Sequence, residues 1–150
     1  MGPTLYEFAG GEKAFAPFAA ALHARCLADP ELNHPFSHPG QNPLHVERLA
    51  AYLAEAAGGP ALYTGGYGTE SSMQRLHAGN GDHPDLDQAC LRLFDQAVAE
   101  SSVPENAGAR LCAYFRAVTE AMRVYNASAD DVPDGLRITT CELGPGSVKE

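Results

Sequence analysis

At 150 residues, with 45% hydrophobic content, a formal net charge of −9 and a pI near 5.0, the chain suits one compact domain with a single sizeable core. That charge repels phosphate backbones and anionic membrane surfaces, and no local cluster of Lys and Arg reverses it, so nucleic acid and membranes are excluded as expected partners. No apolar run approaches the roughly 20 residues that span a bilayer, and Met1-Gly2-Pro3-Thr4 lacks the parts of a signal peptide, which makes a cytoplasmic location the expectation.

Apolar residues recur at intervals of three and four along most of the chain, and alternation with a period of two is nowhere sustained, which predicts an all-α fold. A short first helix ends at Gly10-Gly11. A long one follows from about Glu12 to Ala28, with Phe15, Phe18, Leu22 and Cys26 as its buried stripe. The Pro-rich stretch from Pro35 to Pro43 breaks the pattern. A helix from about Pro43 to Ala57 carries Leu49, Leu53 and Ala56 on one face and stops at Gly58-Gly59-Pro60. After Gly65-Gly66-Tyr67-Gly68 a short helix runs from about Thr69 to His77.

Two long helices complete the body, with stripes Leu86, Cys90, Leu93, Ala97 and Leu111, Phe115, Val118, Met122, Tyr125. Pro84 suits a first helical turn, and Ser102-Val103-Pro104-Glu105 reads as a capping box. From Ala127 onward Asp, Pro, Gly and Ser dominate, so residues 1–126 form the expected domain and 127–150 a mobile or loosely attached tail. Cys26, Cys90, Cys112 and Cys141 lie far apart without a Cys-x-x-Cys pair, which predicts reduced thiols rather than a zinc site.

Of six histidines, His23, His45 and His77 lie on helical faces expected to point inward. A buried imidazole needs hydrogen bonds or a metal to offset its lost hydration, and pattern alone does not choose between them. An ordinary boundary histidine remains the alternative at each position.

A family resemblance adds to this reading. Ala9-Gly10-Gly11 after Leu5-Tyr6, Glu47-Arg48-Leu49 leading to Gly58-Gly59-Pro60, Tyr63-Thr64-Gly65, and Met73-Gln74-Arg75-Leu76-His77-Ala78-Gly79 resemble, in order and spacing, the truncated haemoglobins, closest to group II. The resemblance runs from about Leu5 to Met122 and implies a two-over-two helical sandwich around haem b. It implies His77 as the proximal iron ligand, with its second ring nitrogen bonded to a backbone carbonyl. Phe36 corresponds to the aromatic residue packed on the haem. His45 and His23 fall at distal positions, the latter where relatives usually carry Tyr. Leu49, Tyr52, Met73, Leu76 and Cys90 would line the pocket.

The chain departs from the family on the distal side, because Cys90 stands where many relatives place a ligand-donating Trp and the chain has no Trp. The resemblance implies binding of dioxygen, nitric oxide or another small ligand, with nitric oxide dioxygenase activity supported by an external reductase as one use. A bis-histidyl sensor or electron carrier, closed by His45 or His23, is a second use. A peroxidase-like enzyme using the same histidines as acid–base groups is a third. Monomer and homodimer are both compatible with the sequence.

Overall fold

The computed structural model describes residues 4–29, 45–79, 81 and 84–142, with His45 through its backbone alone. Within these residues the regular elements are helices: α1 (Leu5–Ala9), α2 (Glu12–Ala28), α3 (His45–Ala56), α4 (Leu62–Gly66), α5 (Glu70–His77), α6 (Pro84–Glu100) and α7 (Glu105–Met122). Two 3-10 turns follow, Arg123–Tyr125 and Ala129–Asp131. None of the described helices is long and apolar enough to cross a membrane.

Helix ends follow from local chemistry. Thr4 and Glu7 cap α1 reciprocally, the Glu7 amide donating to Thr4 Oγ1 and the Thr4 amide to Glu7 Oε1, each at 3.1 Å. Thr69 and Ser72 do the same for α5. Pro84 opens α6 as expected, where a missing N–H costs nothing. The capping box expected at Ser102 and Glu105 is replaced by a different device. Pro104 occupies the N-cap of α7, and Ser101 Oγ donates to the Val98 carbonyl at 2.7 Å while accepting from the Val103 amide at 3.2 Å. Ser101 therefore closes α6 and shapes the turn, leaving Ser102 exposed.

The long helices stack as two pairs, α2 with α3 and α6 with α7, and α2 also packs on α6. Phe15, Phe18, Leu22 and Cys26 are all buried along α2, as the three-and-four spacing requires. Phe18 meets Phe94 of α6 edge-on at 5.2 Å, and Phe94 stacks on Phe115 of α7 at 4.0 Å, so one aromatic column joins three helices. The buried stripe of α7 is Ala107, Leu111 and Tyr114, with Phe115 and Val118 only partly covered. Gly59 lets α3 end tightly against α1: a Cβ there would lie 2.7 Å from Tyr6 Cδ1 and 2.9 Å from the Ala54 carbonyl oxygen.

Within the segment expected to be a loosely attached tail, residues 127–142 make defined contacts with the helical body. Val132 and Cys141 are buried, the Cys141 amide donates to the Ala56 carbonyl at the end of α3 at 2.6 Å, and Ser71 and Arg75 of α5 bond to residues 132–136. The segment is polar in composition because its anchors are mostly backbone groups, which residue type does not reveal. Residues 143–150 lie outside the described part of the chain.

Candidate functional site

The site is built around α5, an eight-residue helix with the sequence Glu-Ser-Ser-Met-Gln-Arg-Leu-His. So short a helix is marginal alone, and partners on its several faces must hold it. His77 is its last residue. The His77 ring lies four residues after Met73, and Nδ1–H donates to the Met73 carbonyl oxygen at 2.8 Å. A carbonyl only accepts, so the proton is on Nδ1 and the Nε2 lone pair is the one available to a metal. His77 is exposed rather than turned into the core, and beside it Leu76 is 75% exposed, one of the largest apolar surfaces on the described chain.

A second face of α5 reaches the opposite helix pair. Tyr52 of α3 donates its hydroxyl to Glu70 Oε1 at 2.6 Å, and Gln74 Nε2 donates to Glu70 Oε2, also at 2.6 Å. Glu70 is a buried carboxylate, 5% exposed, and these two donors satisfy both of its oxygens. Burial, the nearby Tyr114 phenol and the hydrogen bond to Glu70 together push the Tyr52 hydroxyl far above its usual range, so it stays a donor. Tyr114 is likewise pushed upward, chiefly by burial, with its hydroxyl shut off from solvent near that of Tyr52. Tyr63 packs edge-on against Tyr52 at 5.2 Å, and Arg48 lies over the Tyr63 and Tyr67 rings at 5.7 and 5.5 Å.

The other expected site residues fall as follows. Tyr52 joins α5 at its first turn, about 10 Å along the helix axis from His77, and its hydroxyl is committed to Glu70. Leu49 is half-buried against the core, Met73 is half-buried, and Cys90 is half-buried on α6. His23 is half-buried on α2 with Nε2 shielded from solvent, and burial lowers its pKa, which favours the neutral ring. His45 begins α3, its side chain lying outside the described residues, as does Phe36. Among the described residues no group of three or more His, Cys, Asp and Glu is arranged to hold a metal ion. Glu70, Tyr114, Ser71 and Arg75 were not singled out by sequence, because an acid or serine in a first helical turn is commonplace.

Burial raises all four thiols, Cys90 and Cys141 to about 11 and Cys26 and Cys112 to about 12. Two units above the ordinary value of 9.0 leaves about a hundredfold less thiolate at pH 8. Alkylation of the native protein at pH 8 should therefore run about a hundredfold slower than in denaturant at Cys90 and Cys141, slower still at Cys26 and Cys112, and should rise about tenfold with each pH unit up to the raised pKa. A native thiol reacting at the rate of the denatured chain would contradict the packing around it.

A two-over-two helical sandwich that presents one carbonyl-anchored imidazole at the end of a short helix has globin architecture. The chain belongs to the bacterial-like globin family, whose sequence profile matches residues 4–124. Haemoglobin from the thermophilic phototrophic bacterium Chloroflexus aurantiacus is similar at 32% identity, covering 81% of this chain and 98% of that one, with a TM-score of 0.71. A thermostable haemoglobin from the actinobacterium Thermobifida fusca is similar at 26% identity over 80% of this chain and 96% of that one, with a TM-score of 0.68. The group II truncated haemoglobin from Bacillus anthracis shares the fold, with 20% identity over 81% of this chain and 92% of that one and a TM-score of 0.71. No curated protein is significantly similar in sequence. Membership of the globin family implies haem iron as the cofactor, and the tautomer of His77 suits it as a donor to that metal.

Proposed function

We propose that this globin holds haem b through His77 Nε2 and leaves the sixth iron position open to dioxygen, nitric oxide or another small ligand. The observation that carries this reading is the 2.8 Å bond from His77 Nδ1–H to the Met73 carbonyl, which fixes the ring and its tautomer before any metal arrives. Bound haem supplies a redox-active iron able to take a diatomic ligand. The protein supplies the imidazole on one side and, on the other, His23 and His45 as candidate hydrogen-bond donors. His23 favours the neutral form because burial lowers its pKa, so it offers one N–H and one lone pair without introducing a charge. Tyr52, by contrast, serves Glu70 and holds α3 to α5. Leu49, Met73, Leu76 and Cys90 are the proposed apolar lining, with Phe36 packed on the haem.

The absorption spectrum of the haem-loaded protein tests the open position. A five-coordinate ferrous spectrum and a high-spin ferric one are expected without added ligand. A low-spin six-coordinate spectrum in both states would replace this reading with a bis-histidyl one, closed by His23 or His45. Nitrate formed per nitric oxide supplied, with a reductant present, then separates a dioxygenase sustained by a reductase from a carrier.

A further inference from the structure

We propose that the segment Tyr125–Leu136, just past the end of the family match at residue 124, is a strap that positions His77, with Ser71 and Arg75 as the positioning residues. This inference rests on the reading of His77 as the iron ligand. The hydrogen bonds bracket that residue on both sides. Before it, Ser71 Oγ donates to the Pro133 carbonyl at 2.7 Å and accepts from the Leu136 amide at 3.0 Å. One turn later Arg75 Nη2 donates to the Val132 carbonyl at 3.0 Å and pairs with Asp134 at 2.5 Å. Beyond His77, the Gly79 amide donates to the Tyr125 carbonyl at 3.1 Å and the Gly81 amide to the Asn126 carbonyl at 2.8 Å.

The faces of α5 divide accordingly. Residues 70 and 74 are tied to Tyr52, residues 71 and 75 to the strap, and residues 73 and 77 to each other. A helix of eight residues has little rigidity of its own, so the orientation of its last ring follows these attachments. Two observations make the strap more than a surface covering. Ser71 is 3% exposed and both its bonds are to strap backbone, so the strap must lie in one register to satisfy it. Val132, also 3% exposed, anchors the middle of the segment, and Asn126 is buried at its start. The exposed Arg75–Asp134 ion pair by itself contributes little, which places the weight on Ser71 and the backbone bonds.

The test uses the full-length, haem-loaded protein and the iron–histidine stretching band of its ferrous form, read by resonance Raman, together with the rate of haem transfer to an acceptor protein. Ser71→Ala removes two bonds from α5. Val132→Asp undocks the strap while leaving every residue of α5 unchanged. Both are expected to shift and broaden the band and to speed haem loss about fivefold for each hydrogen bond lost. Ser71→Thr, which keeps the hydroxyl, is expected to restore the band. A band and haem-loss rate unchanged in both Ser71→Ala and Val132→Asp overturn the strap inference. Should Val132→Asp fail to fold, Arg75→Ala, which removes the single bond to the Val132 carbonyl and the exposed ion pair, takes its place, with a shift smaller than that of Ser71→Ala expected. A His77→Gly protein that keeps haem and the wild-type iron–histidine band without added imidazole overturns the His77 reading instead, so the two failures are distinct.

Discussion

Replacing His77 with Gly is expected to abolish stable haem binding, and adding free imidazole is expected to restore it. The residue sits at the surface end of α5, so its loss opens no core cavity, and the helical content of the apoprotein should be unchanged. The effect is therefore a ligand effect. The single bond at stake joins an imidazole already held in the donor tautomer by the Met73 carbonyl, so the protein has met the ordering cost of that ring in advance. External imidazole fills the vacated volume and supplies the same nitrogen without that preorganisation. Restoration should thus need concentrations far above the protein's own. Gel filtration of the reconstituted variant, with haem per chain read by absorbance, decides the matter. Full haem retention without imidazole would remove His77 from the iron and leave His23 and His45 as the candidate ligands.

The bond of a His77 ring nitrogen to a backbone carbonyl was legible through the family resemblance, while the exposure of the ring was not, since the helical pattern pointed it inward. A residue four positions earlier and a helix end are enough to set its Nδ1 bond, and both are written in Met73-Gln74-Arg75-Leu76-His77-Ala78-Gly79. The α2 stripe was legible in the sequence itself, since Phe15, Phe18, Leu22 and Cys26 follow the helical repeat and every one is buried. The network at the first turn of α5 was not. Glu70 looks like any acid at a helix N-terminus, and only the meeting of α3 with α5 turns it into the acceptor of Tyr52. The strap was hidden more deeply. Its Asp, Pro and Gly content is that of a loop, and its attachments run through the backbones of Tyr125, Asn126, Val132, Pro133 and Leu136, where residue type carries no signal. At Ser102 the sequence pointed one residue too far: Ser101 makes the turn, and Pro104 takes the cap.

Phe94→Ala is expected to destabilise the fold by about 3–5 kcal/mol, at the upper end of what truncating one core side chain does. Phe94 is fully buried, stacked on Phe115 and edge-on to Phe18, so its removal leaves a cavity bounded by three helices that already constrain one another. For a chain of this size each kcal/mol is about 2–4 °C, so the apoprotein should melt roughly 6–20 °C lower by circular dichroism. A fall under about 3 °C would mean that α2, α6 and α7 close over the gap, and that the column does not set their spacing. That spacing matters to the site because Cys90 lies one turn before Phe94 on α6, near enough to Cys26 of α2 to help raise that thiol's pKa, and His23 lies one turn before Cys26. The two substitutions should then separate cleanly. His77→Gly is expected to remove haem from a protein that is otherwise folded, while Phe94→Ala leaves His77, the proposed iron ligand, and the α5 attachments untouched and loosens α2, which carries the proposed distal residue His23. Haem content should survive Phe94→Ala at low temperature, and, on the proposed reading of His23 as a distal residue, ligand release should be faster, because α2, which carries His23, loses the contact of Phe18 with Phe94.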